Sequence, residues 1–224
     1  MKFATFIFIL FTFFFVSFGQ AADNDSLPPK KRHIEHDLFI NTTFFLKQVI
    51  NLSSTSLAIS PYIVGYKCFF DKHNGIRVSA GGSVSKSKQF PDSTFVNITN
   101  TGTLNTRAGY EYRHSFGKYW SFFTGVDVVF DYTYNNTKVN SDDDIVTVKS
   151  NTWDIGGGPM VGIQFNIQKR IALFTETAFY YTYGTGHQKT TSLNFPEVDQ
   201  SGLTSVNQNG QFLLPTSVYF VFKF

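Results

Sequence analysis

The chain reads as an all-β protein: an eight-stranded antiparallel up-and-down transmembrane β-barrel, with short turns at one end and longer loops at the other. Three observations carry that expectation. Successive segments alternate apolar and polar side chains with period two, the pattern of a strand with one wet and one dry face. The connections between them alternate short and long, as in barrels that expose their loops on one side of a membrane. Aromatic residues, 27 Phe and 11 Tyr, are spread through these segments, while no apolar stretch beyond the N-terminal one is long enough for a helical span of about 20 residues.

The elements follow in order. Met1-Lys2, an apolar run from Phe3 to Phe18 and small residues at Gly19, Ala21 and Ala22 describe a secretory signal peptide over 1–21, cleaved after Gly19 or after Ala21. Residues 22–36, with Lys30-Lys31-Arg32-His33, read as a periplasmic leader. The barrel then spans 37–224. Its first strand is Asp37 to Val49, where Asn41 to Leu46 alternates poorly, followed by a short outer loop at 51–56. Leu57 to Phe69 descends into the turn at 71–75, and Ile76 to Val84 rises from it. Thr103 to Phe116 puts Leu104, Ala108, Tyr110 and Tyr112 on one face and Arg107, Glu111 and Arg113 on the other. Gly117-Lys118 turns the chain into Tyr119 to Tyr134. Trp153 to Ile167 and Ile171 to Tyr183 repeat the hairpin around a short turn at 168–170. Long polar loops are expected near 89–101, 137–150 and 190–208. The last strand ends with Phe220, Phe222 and Phe224 on one face and Tyr219, Val221 and Lys223 on the other.

Three prolines strain this scheme. Pro61, Pro159 and Pro215 fall within expected strands, and a closed barrel has no edge at which a missing N–H is free. Gly156-Gly157-Gly158 before Pro159 predicts a bulge or sharp bend there.

The polar faces gather nearly all strand charges: Arg77, Arg107, Glu111, Arg113, Asp127, Asp131, Asp154, Glu176 and Lys223, with Lys47 and Lys67 as further members. An eight-stranded barrel is just wide enough for side chains to fill. The near-balance of signs therefore predicts a packed, mutually neutralising lumen, with Phe123, Phe174 and Tyr180 adding bulk.

Chemistry is sparse. His114 and Ser115 are adjacent, so they point to opposite faces of a strand and cannot act as base and nucleophile. His187 has no acid partner in the pattern. Asp142-Asp143-Asp144 lacks the spaced ligands of a dedicated cation loop and reads as solvated. The lone Cys68 excludes an internal disulfide framework. A net charge of +3 without a basic field gives no footprint for nucleic acid. No catalytic residue, metal site or cofactor is expected.

Gly156 to Ile167, followed by Arg170 to Glu176, resembles a hairpin of the small outer-membrane β-barrel proteins of Bacteroidota, a porin-like family with a Gly-Pro-x-x-Gly strand and a returning strand with an inward Glu. The segments from Asn41 to Phe44 and from Tyr62 to Arg77 are similar to it too. A terminal Phe resembles the signal read by the barrel assembly machinery, which assigns that role to Phe220, Phe222 and Phe224. The resemblance implies residence in the cell outer membrane of a Gram-negative bacterium, among outer-membrane lipids and lipopolysaccharide. It implies no catalytic residues. The expected role is structural, adhesive or surface-interacting through the outer loops, with an extracellular ligand or protein as partner. The alternatives are a lipid A-modifying barrel enzyme or a narrow channel.

Overall fold

The computed structural model describes residues 34–43, 60–92, 95–140, 144–195 and 200–224. The signal peptide, most of the leader, Lys47, Asp142 and Asp143 lie outside the described residues. Among the described residues nine strands follow in order: β1 (Glu35–Asn41), β2 (Val64–Phe69), β3 (Asn74–Asp92), β4 (Phe95–Phe116), β5 (Trp120–Asn140), β6 (Ile145–Gln168), β7 (Ile171–Ser192), β8 (Gln200–Leu213) and β9 (Tyr219–Lys223). Each of β1 to β7 pairs antiparallel with the next, β7 pairs with β9, and β9 pairs back onto β1. The sheet thus closes into a ring, which leaves no free edge at that level.

The strand beyond β7 comes in two pieces. β9 occupies Ile171–Phe174 of the β7 edge and β8 occupies Ala178–Thr190, so both hold one position of the wall. Between them lies Leu214–Val218, which contains Pro215. The expected final strand is therefore interrupted where proline cannot donate to the ladder. Side chains satisfy the interruption: Thr175 Oγ1 donates to Pro215 O at 3.1 Å, Ser60 N to Ser217 Oγ at 2.9 Å and Val218 N to Thr43 Oγ1 at 2.9 Å.

The other two prolines also correct the expectation. β2 begins at Val64, so Pro61 precedes the strand rather than lying in it. At Pro159 there is no bulge: the β5–β6 register runs unbroken through Val126↔Pro159. The β6–β7 ladder skips only Gly158 and Pro159 and resumes in the same register. A register shift occurs instead between Asn166 and Gln168, beside the Lys169-Arg170 turn. The β4–β5 connection is three residues long, with Gly117 at φ 74°. That left-handed backbone suits glycine.

The long outer loops are replaced by paired strand. β4 is 22 residues, β5 21, β6 24 and β7 22. At roughly 3.3 Å per residue, β6 is about 80 Å long. The segments 95–101, 137–140, 145–150, 190–192 and 200–208 belong to strands. Their Thr- and Asn-rich composition conceals alternation because both faces are polar. Cross-strand side-chain bonds hold the hairpins instead, with Thr101 Oγ1 donating to Asn135 Oδ1 at 2.7 Å and Thr99 meeting Thr137 at 3.2 Å.

Candidate functional site: a charge-packed interior

The period-two faces place the interior. On β7, Ala172, Phe174, Glu176, Ala178, Tyr180 and Thr182 are buried, while Phe179, Tyr181 and Tyr183 are exposed. Arg77, Arg107, Glu111, Asp127 and Glu176 all lie on the buried face. Lys67 joins them, fully buried. Several of these large side chains have a glycine as a cross-strand neighbour. Arg77 and Asp127 both face Gly109, Glu111 faces Gly75 and Gly125, and Glu176 faces Gly162. Phe39 faces Gly65, and Phe123 faces Gly162. A Cβ added at Gly65 or Gly162 would overlap the ring of Phe39 or Phe123. A narrow ring holds long side chains more readily where a neighbouring strand gives up its own.

Three cations and three carboxylates form the central cluster. Arg77 binds Asp127 with two bonds, Nε to Oδ1 at 2.9 Å and Nη2 to Oδ2 at 2.5 Å, and reaches Glu176 Oε2 through Nη1 at 2.7 Å. Arg107 contacts Glu176 Oε1, donates to Ser79 Oγ at 2.6 Å and to Tyr180 OH at 3.3 Å. Tyr180 in turn donates to Asp127 Oδ2 at 2.5 Å. Lys67 and Arg77 are direct cross-strand partners, a repulsive pairing. Glu111 relieves it, 2.8 Å from Lys67 Nζ and 3.7 Å from Arg77 Nη1.

Aromatic rings complete the packing. Lys67 Nζ lies 4.2 Å from the centroid of Phe123 and 4.3 Å from that of Phe174. The Arg107 guanidinium stacks on Tyr62 at 4.1 Å. Phe174 stacks on Tyr219, and Phe39 meets both edge-on. Cations above aromatic faces gain attraction that grows as water is removed.

A second cluster sits at the short-turn mouth. Arg113 grips Glu35 with two bonds of 3.0 and 2.7 Å, lies 3.7 Å from Asp37 and stacks on Phe69 at 3.8 Å. Lys223 is 3.5 Å from Glu35. The predicted set therefore divides. Arg113 and Lys223 belong to this mouth, apart from the central cluster. Asp131 and Asp154 belong to neither: they are cross-strand partners of each other farther up the interior, and Asn105 Nδ2 donates to Asp131 at 2.7 Å.

Sequence reasoning missed Glu35, Asp37, Phe39 and Tyr62. Glu35 sits in the stretch that reads as leader, and β1 is too short to show alternation. Tyr62 precedes β2, so no period marks it; the Pro61-Tyr62 dipeptide carries no signal of a stacked arginine. The three terminal phenylalanines share the outward face, with Phe220 and Phe222 packed edge-on at 4.8 Å.

A closed antiparallel ring, apolar outside and charge-packed inside, defines an all-β protein of the outer-membrane, porin-like class. The sequence model of the OmpA-OmpF-like porin family matches residues 34–207, and the chain belongs to that family. It is an outer-membrane protein. Among solved structures, the chain is similar to a major outer membrane protein from Thermus thermophilus, with 12% identity, 86% of this chain and 100% of that chain covered, and a TM-score of 0.45. It is also similar to CarO of Acinetobacter baumannii, with 11% identity, 90% and 100% covered, and a TM-score of 0.35. A comparison with curated proteins found no match.

Proposed function

We propose that the ring is a transmembrane β-barrel of eight wall positions whose lumen is shut, and that the protein is a non-enzymatic structural or surface-interaction protein of the outer membrane. The short turns face the periplasm, and the tall hairpins of β3 to β8 stand outside and carry the contacts. The observation that carries this reading is the filled interior. Arg77, Lys67, Phe39, Phe123 and Phe174 are each at most 1% exposed, and they meet at the centre of the ring. The family name speaks of porins; here ion pairs and aromatic rings occupy the centre of the ring.

The outward faces support the orientation. Val126, Val128, Phe130, Val161 and Ile163 form an exposed apolar band, bordered by Trp120 and Phe165 below and by Tyr132 and Trp153 above. Apolar bands flanked by aromatic girdles are what hydrocarbon and its interfaces select. Two histidines are engaged by neutral groups. His73 Nδ1 bonds to the Arg113 carbonyl at 2.9 Å, and His187 Nδ1 meets Thr204 Oγ1 at 3.3 Å on the outer wall. Neither contact includes a carboxylate.

Planar-bilayer recording of the purified protein tests the shut lumen. The expected trace shows no unitary steps; a steady, reproducible unitary current overturns the reading. Mass spectrometry of lipid A from cells with and without the gene tests the lipid-modifying alternative, and the expected spectra are identical.

A further inference from the structure

We propose that Asp131 and Asp154, facing each other inside the ring above the central cluster, hold a calcium ion. The interior charges show why a cation belongs there. In the central cluster Lys67, Arg77 and Arg107 meet Glu111, Asp127 and Glu176, three against three. At the short-turn mouth Arg113 and Lys223 meet Glu35 and Asp37, two against two. Asp131 and Asp154 have no such counterpart: neither makes an ion pair with a described residue. They are direct cross-strand partners, and like charges in that position destabilise a sheet. Two unmatched carboxylates at one place are neutralised by one divalent ion.

The site is built from more than the two acids. Asn105, the partner of Asp131 on β4, donates to it through Nδ2 at 2.7 Å, which turns the amide oxygen into an available ligand. Asp154 leans the other way, over Gly184 on β7, where an added Cβ would overlap its Oδ1. The carboxylates thus turn apart and leave room between them. Thr133 and Thr152, paired one inward row farther up, add two hydroxyls. Tyr62 is an independent sign. It is 2% exposed, with its ring on the Arg107 guanidinium. Its hydroxyl interacts electrostatically with Asp131, yet makes no hydrogen bond to a described residue. Buried hydroxyls are ordinarily bonded; a cation beside Asp131 gives this oxygen its partner.

Chemistry selects the ion. The donors are carboxylate, amide and hydroxyl oxygens, which suit hard cations rather than softer metals. They come from separate strands in an irregular arrangement. Calcium accepts such geometry, whereas magnesium demands a near-ideal octahedron. A single ammonium group would leave one carboxylate unmatched. Both carboxylates are half-buried, so the ion enters from the end of the ring that carries the tall hairpins. The spanning reading above puts that end outside the cell, where the bound ion clamps β4, β5 and β6 at the base of the hairpins. With two charged ligands, the affinity falls in the range of extracellular calcium modules, about 10⁻⁴–10⁻³ M.

The full-length protein, folded in detergent and stripped with a chelator, is titrated calorimetrically with calcium chloride and separately with magnesium chloride. Calcium binds at a single site and magnesium binds more weakly. D131N/D154N loses the binding. Y62F, which keeps the ring on Arg107 and removes only the hydroxyl, weakens it severalfold. D71N, in a turn at the opposite end, leaves it unchanged. Heat-modified gel mobility checks that each variant is folded. Without calcium, D131N/D154N is at least as resistant to heat as the wild type, because a repulsion has been removed; at saturating calcium the order reverses.

Equal calcium affinity in wild type and D131N/D154N overturns the site, and so does a wild type that binds no calcium at millimolar concentration. Magnesium binding as tightly as calcium overturns the choice of ion, and unchanged affinity in Y62F overturns Tyr62 as a ligand. Flotation with vesicles tests the spanning reading separately: a wild type that fails to insert yet binds calcium overturns the outward placement and keeps the site.

Discussion

Arg77→Met tests whether ion pairs hold the ring shut. Arg77 makes two bonds to Asp127 and one to Glu176, and it is 1% exposed. Methionine fills much of the arginine volume, so the cavity contribution is small and the loss is electrostatic. Removing one partner of a buried pair leaves the other charged and dry, at a cost of about 3–5 kcal/mol. Here the two orphaned carboxylates retain partial help. Arg107 Nη1 is 3.7 Å from Asp127 and the same guanidinium contacts Glu176, while Tyr180 still donates to Asp127. The lower end, about 3 kcal/mol, is therefore expected. With a urea slope of about 2 kcal/mol/M, the unfolding midpoint falls by about 1.5 M. The emission of Trp120 and Trp153, both on the outer wall, reports unfolding in vesicles. Arg77→Met/Asp127→Asn recovers part of the loss, because the double variant removes one of the stranded charges. A midpoint for Arg77→Met within experimental error of wild type would refute the claim that Asp127 and Glu176 depend on Arg77 for neutralisation in the closed ring. So would a double variant whose losses simply add, because coupled partners are not additive.

Three further outcomes follow from the same geometry. Gly162→Val drives a branched side chain into the Phe123 ring and lowers folded yield on heat-modified gels, whereas Gly102→Val, where a Cβ would meet nothing within 4 Å, leaves yield unchanged. Val128→Arg places a cation in the apolar band at a cost of roughly 2–4 kcal/mol, while Asn136→Arg, two outward rows above Tyr132, costs at most about 1 kcal/mol; equal urea midpoints would contradict the face and height assignments. Asp71, in the turn before β3, accepts bonds from the Asn74 side chain and from the backbone N–H groups of His73 and Asn74. These hold its pKa below the ordinary 3.8. A depressed carboxylate stabilises the turn fully above its unfolded pKa and loses that contribution as pH falls through the folded value. The amide resonances of His73 and Asn74 should titrate with a midpoint below 3.8, and Asp71→Asn should abolish the titration.

Legibility in the sequence followed how strictly each residue was confined. Strands with one dry face and one charged face announced themselves: Arg107, Glu111 and Arg113 alternate with Ala108, Tyr110 and Tyr112, and burial follows that alternation. The tall hairpins were hidden because both of their faces are polar. Thr99, Asn100, Thr101 and Asn135 are as polar outward as inward, and such a pattern also describes a loop. Proline was misleading in both directions. Pro159 sits in an unbroken β5–β6 register, while Pro215 divides a strand. One sequence rule covers both residues, and only the neighbouring hydrogen bonds tell them apart. The division of the charges into a central and a mouth cluster was not readable either, since alternation fixes a side chain's face but not its height relative to distant strands.

The buried charges and the glycines are one device seen from two sides. Arg77 fits because Gly109 faces it, and Asp127 fits because the same Gly109 and then Gly158 face it. A shift of one residue in β4 would replace Gly109 with Tyr110 or Ala108 against Arg77, and would turn Arg107, Glu111 and Arg113 to the outer wall. Both errors are expensive at once: steric overlap inside, and three charges against an apolar band. A hydrophobic interior of equal volume could hold the ring as tightly, but it would penalise the slipped register less, because apolar residues lose little on either face of such a wall. The ion pairs therefore do more to specify which ring forms than to stabilise it. That makes a distinction the urea series can resolve: an apolar triple replacement of Arg77, Asp127 and Glu176 should keep a midpoint near wild type while giving a lower fraction of correctly closed protein on refolding.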